Sequence, residues 1–413
     1  MNLKLVSVLL LMLSANFFYN CTLFGDSFEQ AYKMMFYAAF LFVVYFAYVK
    51  KRRKNNTTTL YRREQKVIDK CILFLLCGLF LSLLNSFFFK DQSLSVSLMT
   101  NIPMMIAYSS YFVFKKLNLT NTDERNVIIF MAVAYCMVFV LSFVTLPNPL
   151  FGTFDYEEMR GGFRLRIPGL FWVSLFFFYL IHKYKELRKI SFLVGAFLLS
   201  LFVAASLARQ YILWSAVLGL VFLMVNTKLR KKLLVVIFIT LVGIFVVPEI
   251  PLVKNLKELS EIQKEQNDRG EDDIRVKDYQ TFLVDYNRNL IQYIFGCGLG
   301  SLGNSNYGKE LEYMIKDEGI IPEDVGWAGS VFYYGYYSTV ILLFLFLYSI
   351  LKTNKNYYKR FYLVYIALCA IAGGVLLYHY EVIITMFVLS NIFRKNQNFD
   401  THRNVICYKH FEP

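Results

Sequence analysis

The chain has 413 residues, 57% of them hydrophobic and only 18% charged. Its mean hydropathy is +0.44, so domain counts drawn from soluble proteins do not apply. The net charge is +14, but the cations gather in short segments between apolar runs, a placement that sets membrane orientation and argues against a nucleic-acid partner.

In chain order, apolar runs predict twelve membrane-spanning helices, at 5–24, 30–49, 71–89, 93–114, 127–146, 168–183, 190–207, 211–226, 233–248, 328–351, 361–378 and 381–393, each close to the ~20 residues that cross a bilayer core. The fold class expected is all-α and polytopic. A β-barrel would show short alternating strands, and none stands out. The first run has the look of a signal peptide but lacks a small-x-small cleavage site, and Asn20-Cys21 is a poor lipobox, so it is read as the first span. The last run is short, opens on Glu381, and is equally readable as a re-entrant segment.

With odd spans running outward, 29 of the 44 Lys and Arg fall on the inner side. Both termini are then expected in the cytoplasm. The expected organisation is residues 1–248 as helices one to nine, 249–325 as a large extracytoplasmic loop, and 326–413 as helices ten to twelve with a cytoplasmic tail. The loop carries nine Lys/Arg against sixteen Asp/Glu. Long loops translocate largely regardless of charge, and a stretch of this length is expected to hold short helices packed over the membrane face.

Against that pattern, the outer segment before span six holds Arg160, Arg164 and Arg166, and the outer turn after span seven holds Arg209, with no lysine beside them. Guanidinium is the planar, forked donor suited to phosphate or carboxylate. In extended backbone, positions 164 and 166 share a side, and Gly161-Gly162 allow close approach of a ligand. Two readings stand side by side: a diphosphate site, or interfacial arginines that meet lipid headgroups and pair with Glu157 and Glu158. Arg209 is read either as a member of the same outer cavity or as a cation snorkelling at the hydrocarbon edge.

In the large loop, Arg275 precedes a glycine-rich run, Phe295-Gly296-Cys297-Gly298-Leu299-Gly300-Ser301-Leu302-Gly303. Gly298 to Gly303 match GxGxxG, but no strand–helix context surrounds them, so a close-packed turn is expected and not a nucleotide site. Glu323-Asp324-Val325-Gly326 leads into span ten. A carboxylate there is either a general base or a helix cap. His379, at the outer turn before the last span, is read as structural. The seven cysteines are scattered without CxxC, which implies neither zinc nor a disulfide framework. Asp272-Asp273 reads as solvated charge, and no metal or cofactor is expected.

The order of these features resembles the polymerase/ligase superfamily of bacterial surface polysaccharides, nearest to the Wzy-type O-antigen or capsular repeat-unit polymerases. The sharper motifs cover about 160 to 335. The resemblance implies a metal-independent, inverting glycosyltransferase of GT-C type in the bacterial inner membrane. Its partners would be two undecaprenyl-diphosphate-linked glycans, donor and acceptor, with membrane lipids and a chain-length regulator and flippase nearby. By resemblance, Arg160, Arg164, Arg166, Arg209 and Arg275 would hold diphosphate; on the reading of the residues themselves, Asp324 and Glu323 are the candidate catalytic carboxylates, and Gly296, Gly298, Gly300 and Gly326 are expected to shape structural turns. Ligases of the superfamily often place a His near the end of the large loop, and 249–325 contains none. A flippase or other transporter is the competing class, with an O-antigen ligase as a further alternative.

Overall fold

A computed structural model describes residues 3–19, 21, 29–48, 59–157, 162–206, 208–225, 274–286, 288–303, 305–353 and 357–393. The described residues are overwhelmingly helical. Helices α1 (Leu3–Leu13), α2 (Glu29–Tyr48), α3 (Thr59–Phe89), α4 (Leu94–Leu117) and α5 (Asn121–Val144) come first. A hairpin of β1 (Thr153–Glu157) and β2 (Gly162–Arg166) follows, then α6 (Leu170–Leu187), α7 (Ile190–Ala205) and α8 (Arg209–Met224). After the undescribed stretch come α9 (Ile274–Gln280), α10 (Leu290–Phe295), α11 (Asn306–Lys316), α12 (Gly326–Lys352), α13 (Tyr357–Cys369) and α14 (His379–Ser390). Among the described residues, four helices are long and apolar enough to cross a membrane: Gln30–Tyr48, Arg63–Phe89, Asn121–Val144 and Gly326–Lys352. The predicted span at 233–248 lies outside the described residues.

Local chemistry sets several boundaries. Thr120 and Asp123 close a reciprocal capping box that starts α5. The hydroxyl of Ser93 accepts the Val96 amide at the start of α4, and Lys115 and Lys116 occupy that helix's last turn, where cations suit the dipole. The run predicted at 361–378 is helical only to Cys369. Beyond it, Gly373 and Gly374 turn the chain, and the Ala370 carbonyl accepts the Trp327 amide from α12 instead of continuing its own helix.

Packing places α14 at the centre. Every residue from Glu381 to Phe393 is buried. At 12 residues the helix reaches only ~18 Å, short of a bilayer core of about 30 Å. It lies against α4, with Phe387 edge-on to Phe114 at 5.5 Å and tilted against Trp172 of α6 at 5.7 Å. Burial on every side places this helix inside the bundle and not on its lipid face. By contrast, α2 keeps Met34, Leu41, Phe42, Tyr45 and Tyr48 on the surface.

One end of the bundle is tied by a buried ion pair. Lys359 Nζ lies 2.6 Å from Glu124 Oε1, with side chains only 2% and 4% exposed. Tyr358 donates to the same carboxylate at 2.9 Å, and Lys359 donates to the Asn391 carbonyl at 2.8 Å. The network joins the start of α5, the start of α13 and the end of α14, and its hydrogen bonds offset the desolvation of both charges.

At the other end, the described part of 274–325 folds into short helices. Its glycine-rich run docks on α12, where the amides of Cys297 and Gly298 donate to the carbonyls of Phe332 and Tyr333, each at 2.9 Å. The contact needs two glycines. Gly296 (φ 86°) and Gly335 (φ 77°) both lie in the left-handed region, a Cβ on Gly296 would fall 2.3 Å from the Tyr333 carbonyl oxygen, and one on Gly335 would fall 2.3 Å from that of Ile294. Gly335 interrupts α12 within its apolar length.

Candidate functional site

The hairpin fixes the first arginines. Its antiparallel register sets Arg166 opposite Thr153, Arg164 opposite Asp155 and Glu157 opposite Gly162. The backbone register therefore gives Arg164 an acidic cross-strand neighbour at 155, not at 157. Arg160 and Glu158 lie outside the described residues. Arg166 is exposed at the end of β2, and a Cβ on Gly152 would stand 2.2 Å from its carbonyl oxygen, so that strand end is held from behind.

Arg166 lies within electrostatic reach of the Tyr380 hydroxyl, as does the hydroxyl of Tyr211. Tyr380 stacks on Tyr378 with ring centroids 5.2 Å apart and planes 7° from parallel. Arg209 is exposed and opens α8. The two residues after it meet the glycine turn: a Cβ on Gly373 would lie 2.5 Å from Gln210 Nε2 and 3.3 Å from the Tyr211 hydroxyl. Across the same turn, a Cβ on Gly374 would lie 3.0 Å from the Glu323 Cα. The 373–374 turn thus has the start of α8 on one side and the acidic pair on the other.

Glu323 accepts the Tyr333 hydroxyl at 3.4 Å. Burial pushes its carboxyl above the usual range, and the neighbouring Asp324 adds to the rise. Asp324 itself is exposed. The helix α12 starts at Gly326 with Val325 at its N-cap and no side-chain capping bond, so neither carboxylate serves as that cap.

Beneath them sits an acid that the sequence reading did not single out. Asp278 is fully buried. Its Oδ1 accepts the Ile321 amide at 3.2 Å, while its Oδ2 has no partner among the described residues. Burial, with help from the Asp324 charge, pushes this carboxyl up to about 7, against the pull of the Ile321 amide, Lys277 and Arg275. Arg275 is exposed three residues earlier on α9. The only signal in the sequence was that i, i+3 spacing, which places an acid and an arginine on one helical face.

The structure therefore brings Arg166, Arg209, Arg275, Glu323 and Asp324 to the same end of the bundle, arranged around the 373–374 turn, the stacked tyrosines and Asp278. The glycines serve the scaffold around them. A Cβ on Gly298 would meet the Ser82 carbonyl at 2.5 Å, one on Gly300 would meet Leu311 Cδ1 at 2.4 Å, and one on Gly326 would meet the Gly373 carbonyl at 2.3 Å. Each is a point of close backbone approach. His379 lies apart from the acids, packed on Tyr19 at 4.2 Å and Phe36 at 5.5 Å.

Glu381 is buried in the bundle, where its Oε1 accepts the Gly169 amide at 3.4 Å and its Oε2 has no partner among the described residues. Among the described residues, no group of three or more His, Cys, Asp and Glu is placed to hold a metal. Comparison with known protein-family models and with curated proteins returns no match.

Proposed function

We propose that the chain is a polymerase of lipid-linked oligosaccharide repeat units, acting at the outer face of a bacterial inner membrane. In this reading twelve spans carry it, both termini are cytoplasmic, and residues 249–325 form the extracytoplasmic loop. Donor and acceptor are glycans on undecaprenyl diphosphate, and one glycan passes, with inversion, from its diphosphate to a sugar hydroxyl on the other.

What supports the reading is that Arg166, Arg209 and Arg275, from three separate segments, lie at the same end of the bundle as the Glu323-Asp324 pair. The leaving diphosphate gathers negative charge as the anomeric bond breaks. Guanidinium groups fixed beforehand stabilise that charge without reorganising. Asp324 is the exposed member of the acidic group, and in this reading it takes the acceptor's proton. Asp278 acts as a positioning residue beneath it. The donor is already activated by its diphosphate, so the chemistry asks for no metal or cofactor.

A second reading is export of the lipid-linked oligosaccharide. It is favoured by the break at Gly335, which lies beside a small cleft lined in part by Tyr334 and Ser338. The side-chain oxygens of both residues are buried without partners among the described residues. Interrupted helices line the substrate paths of many transporters. Profiles of lipid-linked oligosaccharides from cells with and without the chain separate the two. Loss of a polymerase leaves single repeat units accessible at the outer face, whereas loss of an exporter leaves them inside.

A further inference from the structure

The loop holds a second cationic cluster, across Phe332 and Tyr333 from the acidic turn. Arg288 is only 6% exposed. Its Nη2 donates to the Phe282 carbonyl, and its guanidinium lies over the Tyr293 ring, 4.4 Å from the centroid. Its Nε and Nη1 have no acceptor among the described residues. A buried guanidinium with two unpartnered donor nitrogens is costly unless an anion completes it.

Among the described residues, the charged groups that interact beside it are mostly cationic. Lys90, at the end of α3, has a side chain only 13% exposed and lies 3.1 Å from Glu310 Oε1. Tyr286 donates to the same carboxylate oxygen at 2.5 Å. The hydroxyl of Tyr286 and the thiol of Cys297 each lie within electrostatic reach of Arg288 and Glu310, and Cys297 is within reach of Lys90 as well. Among the described residues, the charged groups that interact here are two cations and one carboxylate, and Lys90 already occupies that carboxylate. An acceptor-only ligand with several oxygens would both satisfy Arg288 and balance the charge.

We propose that Arg288 and Lys90 form a second anion site, for the phosphate groups of a lipid phosphate ester, distinct from the site of Arg166, Arg209 and Arg275. Assigning the acceptor's diphosphate as its occupant rests on the polymerase reading, since a transfer between two lipid diphosphates needs a seat for each. The site itself rests only on the unspent donors of Arg288 and the surplus of positive charge.

The test uses the full chain in nanodiscs with undecaprenyl diphosphate as the probe, read by equilibrium binding and stoichiometry. Wild type should bind two equivalents, and inorganic pyrophosphate should compete. Arg288→Met and Lys90→Met should each weaken one class of site by about tenfold or more, the scale of a charge-assisted hydrogen bond. Arg209→Ala should weaken the other class and leave this one intact. If Arg288→Met does not fold, Lys90→Met carries the test, because the polar partners of Lys90 are the Tyr286 hydroxyl and Glu310, whose side chain is 42% exposed and stays hydrated without it.

Undiminished binding of two equivalents by either folded variant overturns the proposal. Loss of a site in both variants, with Arg209→Ala unaffected, keeps this site and removes the donor-site assignment. Competition by phosphatidylglycerol nanodiscs but not by pyrophosphate identifies a bilayer headgroup as the occupant, and overturns the acceptor assignment.

Discussion

The Asp278 carboxylate accepts the Ile321 amide at 3.2 Å, and that bond fastens α9 to the acidic turn that opens α12. It is a conditional fastener, because its carboxyl is pushed up to about 7, mainly by burial. Arg275 rides on the same short helix, so the bond also sets where that guanidinium stands relative to Asp324.

The pH dependence of this contact follows from the sign of the shift. When the loop opens, Asp278 ionises near its ordinary value of 3.8, whereas in the closed loop it holds its proton to about 7. Between those values the open state binds fewer protons, so closure weakens as pH rises, and it levels off above about 7. Hydrogen exchange at Ile321, corrected for the intrinsic pH effect, should show protection falling from pH 5 to pH 7.5. Asp278→Asn should abolish the slope. A wild-type profile that rises with pH would show that the carboxylate, not the acid, is the closed form.

The pairing of Gly296 with Gly335 predicts an asymmetric response to alanine. Gly335→Ala forces a Cβ to 2.3 Å from the Ile294 carbonyl oxygen at a φ of 77°. The strain alone costs about 1–3 kcal/mol, and the clash must push the glycine-rich run off α12. Gly303 shares the positive φ, 73°, but has nothing within 4 Å of its Cβ position. Gly303→Ala should therefore show the cost of the strain alone, and Gly335→Ala a clearly larger fall in the melting temperature of the solubilised protein, because it adds the clash. Equal shifts would mean that the close approach does not matter.

These contacts mark where sequence reasoning reached and where it stopped. Apolar length located the helices, because burying a span requires a run that any reader can count. The glycine-rich run at 295–303 was legible as a tight turn for the same local reason. Gly335 was not, because its necessity arises from Ile294 and Gly296, some forty residues away. Asp278 was passed over because burial gives it its chemistry, and burial depends on Ile321 and on how α9 seats. The central position of α14 was equally hidden. Its composition suits a lipid-facing helix, and only its short length and the opening Glu381 pointed elsewhere.

If the arginines cradle diphosphate, Arg166→Ala and Arg209→Ala should each lower the rate of chain lengthening by about 10²–10³, the loss seen when one preorganised donor is removed from a developing anion. Lysine should rescue poorly at either position, since a point charge does not reproduce the fork. Long-chain product on gels, with expression matched, reads this directly. Normal product from both alanine variants would remove the diphosphate role.

Topology offers an independent check. A periplasm-active reporter fused after residue 290, at the start of α10, should be active, and a cytoplasm-active reporter at the same place silent. The opposite pattern would invert the orientation and place the arginines on the cytoplasmic side, where no diphosphate-linked acceptor chain is elongated in this scheme.

The opposite end of the bundle gives a stability prediction free of any functional assumption. Lys359 and Glu124 are both almost fully buried and 2.6 Å apart. Removing one partner leaves the other as an uncompensated charge, so Lys359→Met should cost about 3–5 kcal/mol. Removing both is milder: Lys359→Met with Glu124→Leu takes both charges out of the apolar interior, and replacing a whole buried pair by apolar side chains is often neutral or stabilising. Tyr358 loses its acceptor in the double variant, which leaves a residual cost near one hydrogen bond, about 1 kcal/mol. Unfolding of the two single variants and the double variant in a common detergent measures the coupling. A double variant as unstable as the sum of the singles would show that the two residues act on the bundle separately, and that α5, α13 and α14 are held by their apolar packing alone.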